Sequence, residues 1–180
     1  MKFGLLVCGP SGVGKTSNIE RMVEHAGLSN FSIVDPDKIQ LGTQEERSIR
    51  AFEMVKEHIR AGTSFSYSGS CLRKRRIGEL LDTLKSAGYK TVGCIVYTGV
   101  DTAIRRIRER IHQPVSEDII LDFHRQFKTR AADLMADKRF DEIYLFNNEK
   151  EFSLLLSKKK KSIVCRDTDS DFYFDISKYC

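Results

Sequence analysis

Eight consecutive residues carry the clearest chemistry in the chain: Gly9-Pro10-Ser11-Gly12-Val13-Gly14-Lys15-Thr16. They match G-x-x-x-x-G-K-[ST] at every position. Glycines let the backbone turn tightly and approach an anion closely. Successive N–H groups then point inward as an anion nest, and a helix beginning at Lys15 adds its positive end. Lys15 has the reach and charge for the β- and γ-phosphates of a nucleoside triphosphate. The Thr16 hydroxyl is suited to a bridging Mg²⁺, and Ser17 follows as a further loop residue.

Two more groups could act on such a phosphate. Asp35 and Asp37 follow an apolar run, Phe31–Val34, that reads as a strand. Carboxyl ends of strands in an open α/β sheet face the ligand. One carboxylate could then hold Mg²⁺, and the other could take a proton from an attacking hydroxyl. A turn at Asp35-Pro36 with Asp37 as a helix cap is the alternative. Arg105, Arg106, Arg108 and Arg110 fall in one expected helix, where Arg106 and Arg110 share a face opposite Ile104, Ile107 and Ile111. Two guanidinium groups on one face suit a transferring phosphoryl group. A solvated basic helix is the alternative. His112 and Pro114 then mark a loop where a lid could hinge.

The elements that must position these groups alternate between two periodicities. Expected strands are 3–8, 31–34, 64–68, 89–97 and 143–146, and expected helices are 15–26, 44–61, 73–86, 101–111 and 116–136. This predicts an α/β three-layer sandwich: a sheet of about five strands, mainly parallel, with helices on both faces. Residues 1–157 form the phosphate-loop domain, with an arginine-bearing lid near 105–115. Residues 158–180 form a C-terminal extension. In it Lys158–Lys161 reads as a solvated turn or tether, and Ser162–Cys165 is expected to pair with Phe172–Ile176 as a small hairpin.

With 180 residues, 41% of them apolar, the chain suits one compact domain with a real core. No apolar run is long enough to span a membrane, and the N-terminal apolar stretch reads as strand rather than signal peptide. A cytoplasmic location is therefore expected. The five cysteines are scattered without a C-x-x-C pair, so reduced thiols are expected rather than a zinc site. A net charge of +5 favours anionic ligands without requiring nucleic acid.

Taken together, these segments resemble the zeta-toxin and polynucleotide-kinase branch of P-loop kinases over about residues 3–150. Val34-Asp35-Pro36-Asp37-Lys38-Ile39 looks like that family's segment after the second strand, which by position makes Asp37 the general base. Ile59-Arg60-Ala61-Gly62-Thr63-Ser64-Phe65 looks like the helix end and G-x-S-F strand of the zeta group, and Ala87-Gly88-Tyr89 looks like its A-G-Y segment. Arg106 and Arg110 match the spacing of the lid arginines. Phe123-His124-Arg125 resembles the F-x-R of the following helix, and Leu145-Phe146-Asn147-Asn148 resembles a late Y-D-N segment near the nucleotide base.

The chain also departs from the family. Tyr67-Ser68-Gly69-Ser70-Cys71-Leu72 lacks the glutamate that binds substrate in the zeta group and the aspartate of polynucleotide kinases, although Arg76 matches an arginine of the latter. Gln40 replaces a basic residue.

The resemblance implies an ATP-dependent (or GTP-dependent), Mg²⁺-assisted kinase acting on a hydroxyl. Its substrate side would comprise Asp35, Ser68, Ser70, Arg76 and Arg125, with Asn148 on the nucleotide. The acceptor is expected to be an anionic small molecule such as a nucleotide or nucleotide-sugar. A 5′-hydroxyl nucleic acid end, suggested by Arg73-Lys74-Arg75-Arg76 and the lysine run, is a second reading. A nucleotide-dependent binding module without efficient transfer is a third. Oligomeric state is not legible.

Overall fold

The computed structural model describes residues 1–40, 42–110 and 115–180. Seven strands form one sheet in the order β2-β3-β1-β4-β5-β6-β7. They are β1 (Phe3–Cys8), β2 (Ser32–Val34), β3 (Phe65–Gly69), β4 (Lys90–Tyr97), β5 (Glu142–Asn147), β6 (Ser153–Lys159) and β7 (Ser162–Cys165). The first five are parallel; β6 and β7 are added antiparallel. The expected five-stranded parallel unit is thus present, and β6 and β7 extend it at the β5 edge into a larger mixed sheet.

Alternation along β1 divides the core. Leu6 and Cys8 face one side, and Leu5 and Val7 face the other. On the first side lie α2 (Gln44–Ala61), α3 (Lys74–Ser86) and α5 (Glu117–Ala136); on the second lies α1 (Ile19–His25). The apolar spacing of each helix decides its buried face, as with Ile77, Leu80, Leu81 and Leu84 of α3. A capping box between Thr43 and Glu46 starts α2, and Gly62, at φ 68°, ends it in the left-handed conformation. The arginine helix α4 (Val100–Arg108) is shorter than expected and packs on α5 through Ala103, Ile107 and Ile120. Ile111, His112 and Pro114 lie outside the described residues. Among the described residues no helix is long and apolar enough to cross a membrane.

The C-terminal expectation needs correction. Ser162–Cys165 pairs with β6, not with Phe172–Ile176, and Lys160-Lys161 make the turn between the two strands. The lysine run is therefore no tether. Lys158 Nζ donates to the Met135 carbonyl at 2.9 Å, and Lys160 pairs with Asp141 at 2.8 Å. Residues 172–176 instead return to the core, where Tyr173 packs edge-on to Phe127 and donates to the Val96 carbonyl.

The expectation of reduced cysteines is also overturned. Cys8 is bonded to Cys71 and Cys165 to Cys180, with Cα–Cα separations of 5.4 and 6.1 Å; Cys94 stays free and buried. The physical reason is topological. β1 and β3 are neighbours with Cys8 opposite Gly69, so the residue two beyond Gly69 comes within bonding range. A sequence separation of 63 gives no local signal of this.

Asp141, immediately before β5, joins the hairpin to the sheet. It accepts from the Thr91 amide and hydroxyl and pairs with Lys85 and Lys160. Partial burial works against its charge, but Lys160, Lys85 and Thr91 outweigh it and hold the carboxyl well below the usual range. Asp141→Asn is expected to cost about 2 kcal/mol at neutral pH. Because the folded pKa is depressed, this contribution is full above the unfolded carboxyl range of about 4 and fades as pH falls through the lowered folded value. Urea unfolding of both proteins from pH 7 downward checks this. A wild-type advantage that grows on acidification would contradict it.

Candidate active site

β1 ends at Cys8 and the chain wraps at once into the phosphate loop. Gly12 and Gly14 adopt φ 84° and 85°. A Cβ on Gly12 would come within 2.7 Å of the Ala103 carbonyl of α4, and one on Gly14 would overlap the Asn148 amide. Glycine is thus required twice over, by conformation and by close approach. Val13 is fully buried and anchors the loop in the α1-side core.

The helix expected from Lys15 begins differently: Thr16–Asn18 form a 3-10 turn, and α1 proper starts at Ile19. Asn18 breaks continuity with φ −120°, and its amide donates to the Gly14 carbonyl at 2.9 Å.

Lys15 folds back over the loop, its ammonium donating to the carbonyls of Gly9 (2.8 Å) and Pro10 (2.9 Å). Its pKa is lowered to about 8. Burial is the main cause, Asp37 and Asp35 oppose it, and the Arg110 charge adds to the lowering. Those causes place both carboxylates and Arg110 around one ammonium.

Thr16 Oγ1 donates to Asp35 Oδ2 at 2.5 Å, and the other Asp35 oxygen accepts the Asp37 amide at 3.0 Å. Asp35, not Asp37, is therefore the cap of the short turn after β2. Asp35 is buried, whereas Asp37 is exposed beside it. Among the described residues no group of three or more His, Cys, Asp and Glu is arranged to hold a metal ion. The Thr16–Asp35 pair still fits Mg²⁺, which takes one or two protein oxygens and fills its octahedron with phosphate and water.

The arginines separate. Arg106 is half-buried, and its guanidinium donates to the Asn148 carbonyl at 2.7 Å. Asn148 in turn donates from its side chain to the Val13 carbonyl at 2.8 Å, so the pair ties the end of β5 to the phosphate loop. Arg110 stands beyond the end of α4, so the shared helical face expected for the two does not form. Glu149 gave no signal in the sequence. It accepts from Thr98, Thr102 and the Gly99 amide and so fixes the start of α4.

On the other side of Asp35, Tyr67 of β3 projects to the α2 side with its hydroxyl near Arg76, Arg73 and Asp35. Burial raises its pKa, the two arginines pull it down, and Asp35 adds to the rise. Arg76 stacks over Phe52 at 4.0 Å, and Phe52 meets Tyr67 edge-on. Of the four basic residues in this run, Lys74 pairs with Asp133 and Arg75 with Glu79. Among the described residues no carboxylate pairs with Arg73 or Arg76. Ser68 is opposite Val7 in the sheet, on the face away from Tyr67, and its buried hydroxyl has no partner among the described residues. Ser70 is half-buried at the start of the loop to α3. Arg125 is exposed on α5, while the preceding His124 turns toward Ser11 and Lys15.

The fold is a mostly parallel sheet whose first strand feeds a phosphate loop. Several solved structures share it. One is from the PezAT chromosomal toxin-antitoxin system of Streptococcus pneumoniae (TM-score 0.67, 19% identity, covering 90% of this chain and 74% of that one). Another is the AvrRxo1-ORF1:ORF2 complex with ATP (TM-score 0.68, 15% identity, 93% of this chain). This chain spans only 61% of that one's length. A gluconokinase from Sinorhizobium meliloti 1021 is a more distant match (TM-score 0.53, 14% identity, 81% and 82% covered). No protein-family model matches the sequence. No curated protein matches it either.

Proposed function

We propose that this chain is an ATP:alcohol phosphotransferase acting on a small, anionic, hydroxyl-bearing acceptor. The observation that carries the reading is the grouping of Lys15, Thr16-Asp35 and an exposed Asp37 at the mouth of a complete phosphate loop. Thr16 and Asp35 would hold Mg²⁺, which when bound would offset charge on the phosphates. Lys15 exchanges its loop carbonyls for phosphate oxygens, and Arg110 adds a second positive charge where negative charge develops. Asp37 accepts the proton of the attacking hydroxyl. Arg106 and Asn148 hold the loop from behind.

The acceptor side favours an anion. Arg73 and Arg76 lie beside the Tyr67 hydroxyl, and residues 68–76 contain no acid. For a nucleic acid track, Lys74 and Arg75 remain highly exposed, with surface ion pairs to Asp133 and Glu79 that a phosphate backbone can displace, so this second reading is decided by the oligonucleotide test.

ATP turnover measured with a panel of phosphorylated and non-phosphorylated alcohols, beside a 5′-hydroxyl oligonucleotide, tests this. Stimulation by a phosphorylated alcohol is expected. Arg76→Ala should then lower kcat/KM for that acceptor about tenfold or more, with the KM for ATP little changed. Stimulation by the oligonucleotide alone would favour polynucleotide 5′-hydroxyl kinase activity. ATP binding without any turnover would leave the binding-module reading.

A further inference from the structure

Tyr67 lies on β3 two residues before Gly69, so both face the α2 side of the sheet. Gly69 has no positive φ that would call for glycine. Space calls for it instead: a Cβ there would lie 3.2 Å from the Tyr67 hydroxyl oxygen and from the edge of its ring. The ring therefore leans along its own strand toward the carboxyl end of the sheet, with its hydroxyl over Gly69. The Gly69 carbonyl accepts the Gly9 amide at 3.3 Å, so this strand end also carries the start of the phosphate loop.

The Tyr67 ring is buried and meets Phe52 edge-on. Its hydroxyl is neither bonded to a described residue nor among the polar atoms closed off from solvent. Phenylalanine would pack as well here and leave no polar group unpaired, so the hydroxyl is not explained by the core. Burial raises its pKa from an already high value, so it carries its proton at neutral pH and is a donor. Arg76 completes the group. Its guanidinium lies over the Phe52 ring, 4.0 Å from the centroid, so Phe52 touches both the arginine and Tyr67. Register sets the distance to the chemistry. Val34 and Tyr67 are partners on adjacent strands, spaced about 4.8 Å apart, and Asp37 follows Val34 by three residues. That separation suits a small acceptor with its hydroxyl at Asp37 and an anion at Tyr67.

We propose that Tyr67 is a specificity-determining residue of the acceptor site: its hydroxyl donates a hydrogen bond to a phosphate monoester on the acceptor alcohol, and Arg76, held flat on Phe52, neutralises that phosphate. The inference deepens the phosphotransferase reading and rests on it for the fate of the acceptor hydroxyl. An unphosphorylated alcohol leaves both donors without an anion, so the site selects between two forms of one molecule.

Tyr67→Phe keeps the ring and removes only the donor. The first readout is a ³¹P NMR titration of inorganic phosphate into protein loaded with the Mg²⁺ complex of β,γ-imido-ATP, which fills the phosphate loop. Wild type is expected to bind phosphate. Tyr67→Phe should bind it about tenfold more weakly and Arg76→Ala at least as weakly, with thermal midpoints within a few degrees of wild type. The second readout is kcat/KM for a phosphorylated alcohol and for the same alcohol without its phosphate. Tyr67→Phe should lose about tenfold on the first and stay within about twofold on the second, with the KM for ATP unchanged. Absence of phosphate binding by wild type, equal phosphate affinity of wild type and Tyr67→Phe, or an equal kinetic loss on both alcohols would each overturn the proposal. An effect confined to a 5′-hydroxyl oligonucleotide would overturn the small-molecule assignment. Phosphate binding that depends on Tyr67 in a protein that phosphorylates no alcohol would keep the anion site and remove the phosphotransferase reading.

Discussion

Lys15→Met is expected to lower phosphotransfer by about a thousandfold or more while leaving the thermal midpoint within a few degrees of wild type. The two halves of this expectation have different origins. Among the described residues the Lys15 ammonium bonds only to the carbonyls of Gly9 and Pro10. Its burial is unfavourable enough to bring its pKa down to about 8. Removing it therefore relieves a desolvated charge as well as losing two hydrogen bonds, and the net effect on folding is small. On the proposed function, the same ammonium would face phosphate oxygens on which charge develops in the transition state, in a site walled by protein. Loss of one such contact is worth about 3–4 kcal/mol, or two to three powers of ten, and misplacement of the γ-phosphate adds to it. Steady-state turnover beside a circular-dichroism melt reads both halves. If the Lys15→Met variant keeps more than a tenth of wild-type turnover, the loop is removed from the chemistry. A collapse of the melt would make Lys15 a folding residue.

The parts legible in the sequence are those whose physics is local. A phosphate loop needs glycine wherever the backbone goes left-handed or another chain presses close, and Gly12 and Gly14 meet both demands within three residues. Helix α2 was legible at its end because Gly62 is the natural left-handed stop. What escaped depends on partners far along the chain. β6 ends in lysines, and such a run reads as solvated until Asp141 and the Met135 carbonyl are seen to receive it. The Cys8–Cys71 bond follows from the β1–β3 register, which no spacing rule encodes. Arg106 and Arg110 looked equivalent on a helical wheel. They diverge because α4 stops at Arg108 and because the Asn148 carbonyl takes one of them.

Asp37→Asn is expected to abolish transfer to the acceptor while sparing nucleotide binding, and Asp35→Asn is expected to act chiefly through Mg²⁺. The two carboxylates stand two residues apart but in opposite situations. Asp35 is buried, with one oxygen on Thr16 and the other on the Asp37 amide. A carboxylate so engaged suits metal coordination beside Thr16, and its remaining role in the fold is to shape the turn that presents Asp37. Asp37 is exposed next to the Lys15 ammonium. Among the described residues its backbone amide donates to Asp35, and no donor is bonded to its side chain to compete with an incoming hydroxyl. Losing a general base removes about two to four powers of ten from turnover. Titration of each variant with Mg²⁺·ADP, set beside acceptor-dependent turnover across a range of Mg²⁺ concentrations, separates the roles. For Asp37→Asn, nucleotide affinity should match wild type and added Mg²⁺ should restore nothing. For Asp35→Asn, part of the lost turnover should return as Mg²⁺ is raised, because the defect is in metal affinity. If Asp35→Asn is inactive at every Mg²⁺ concentration while Asp37→Asn turns over normally, the assignments are reversed and the buried carboxylate is the base.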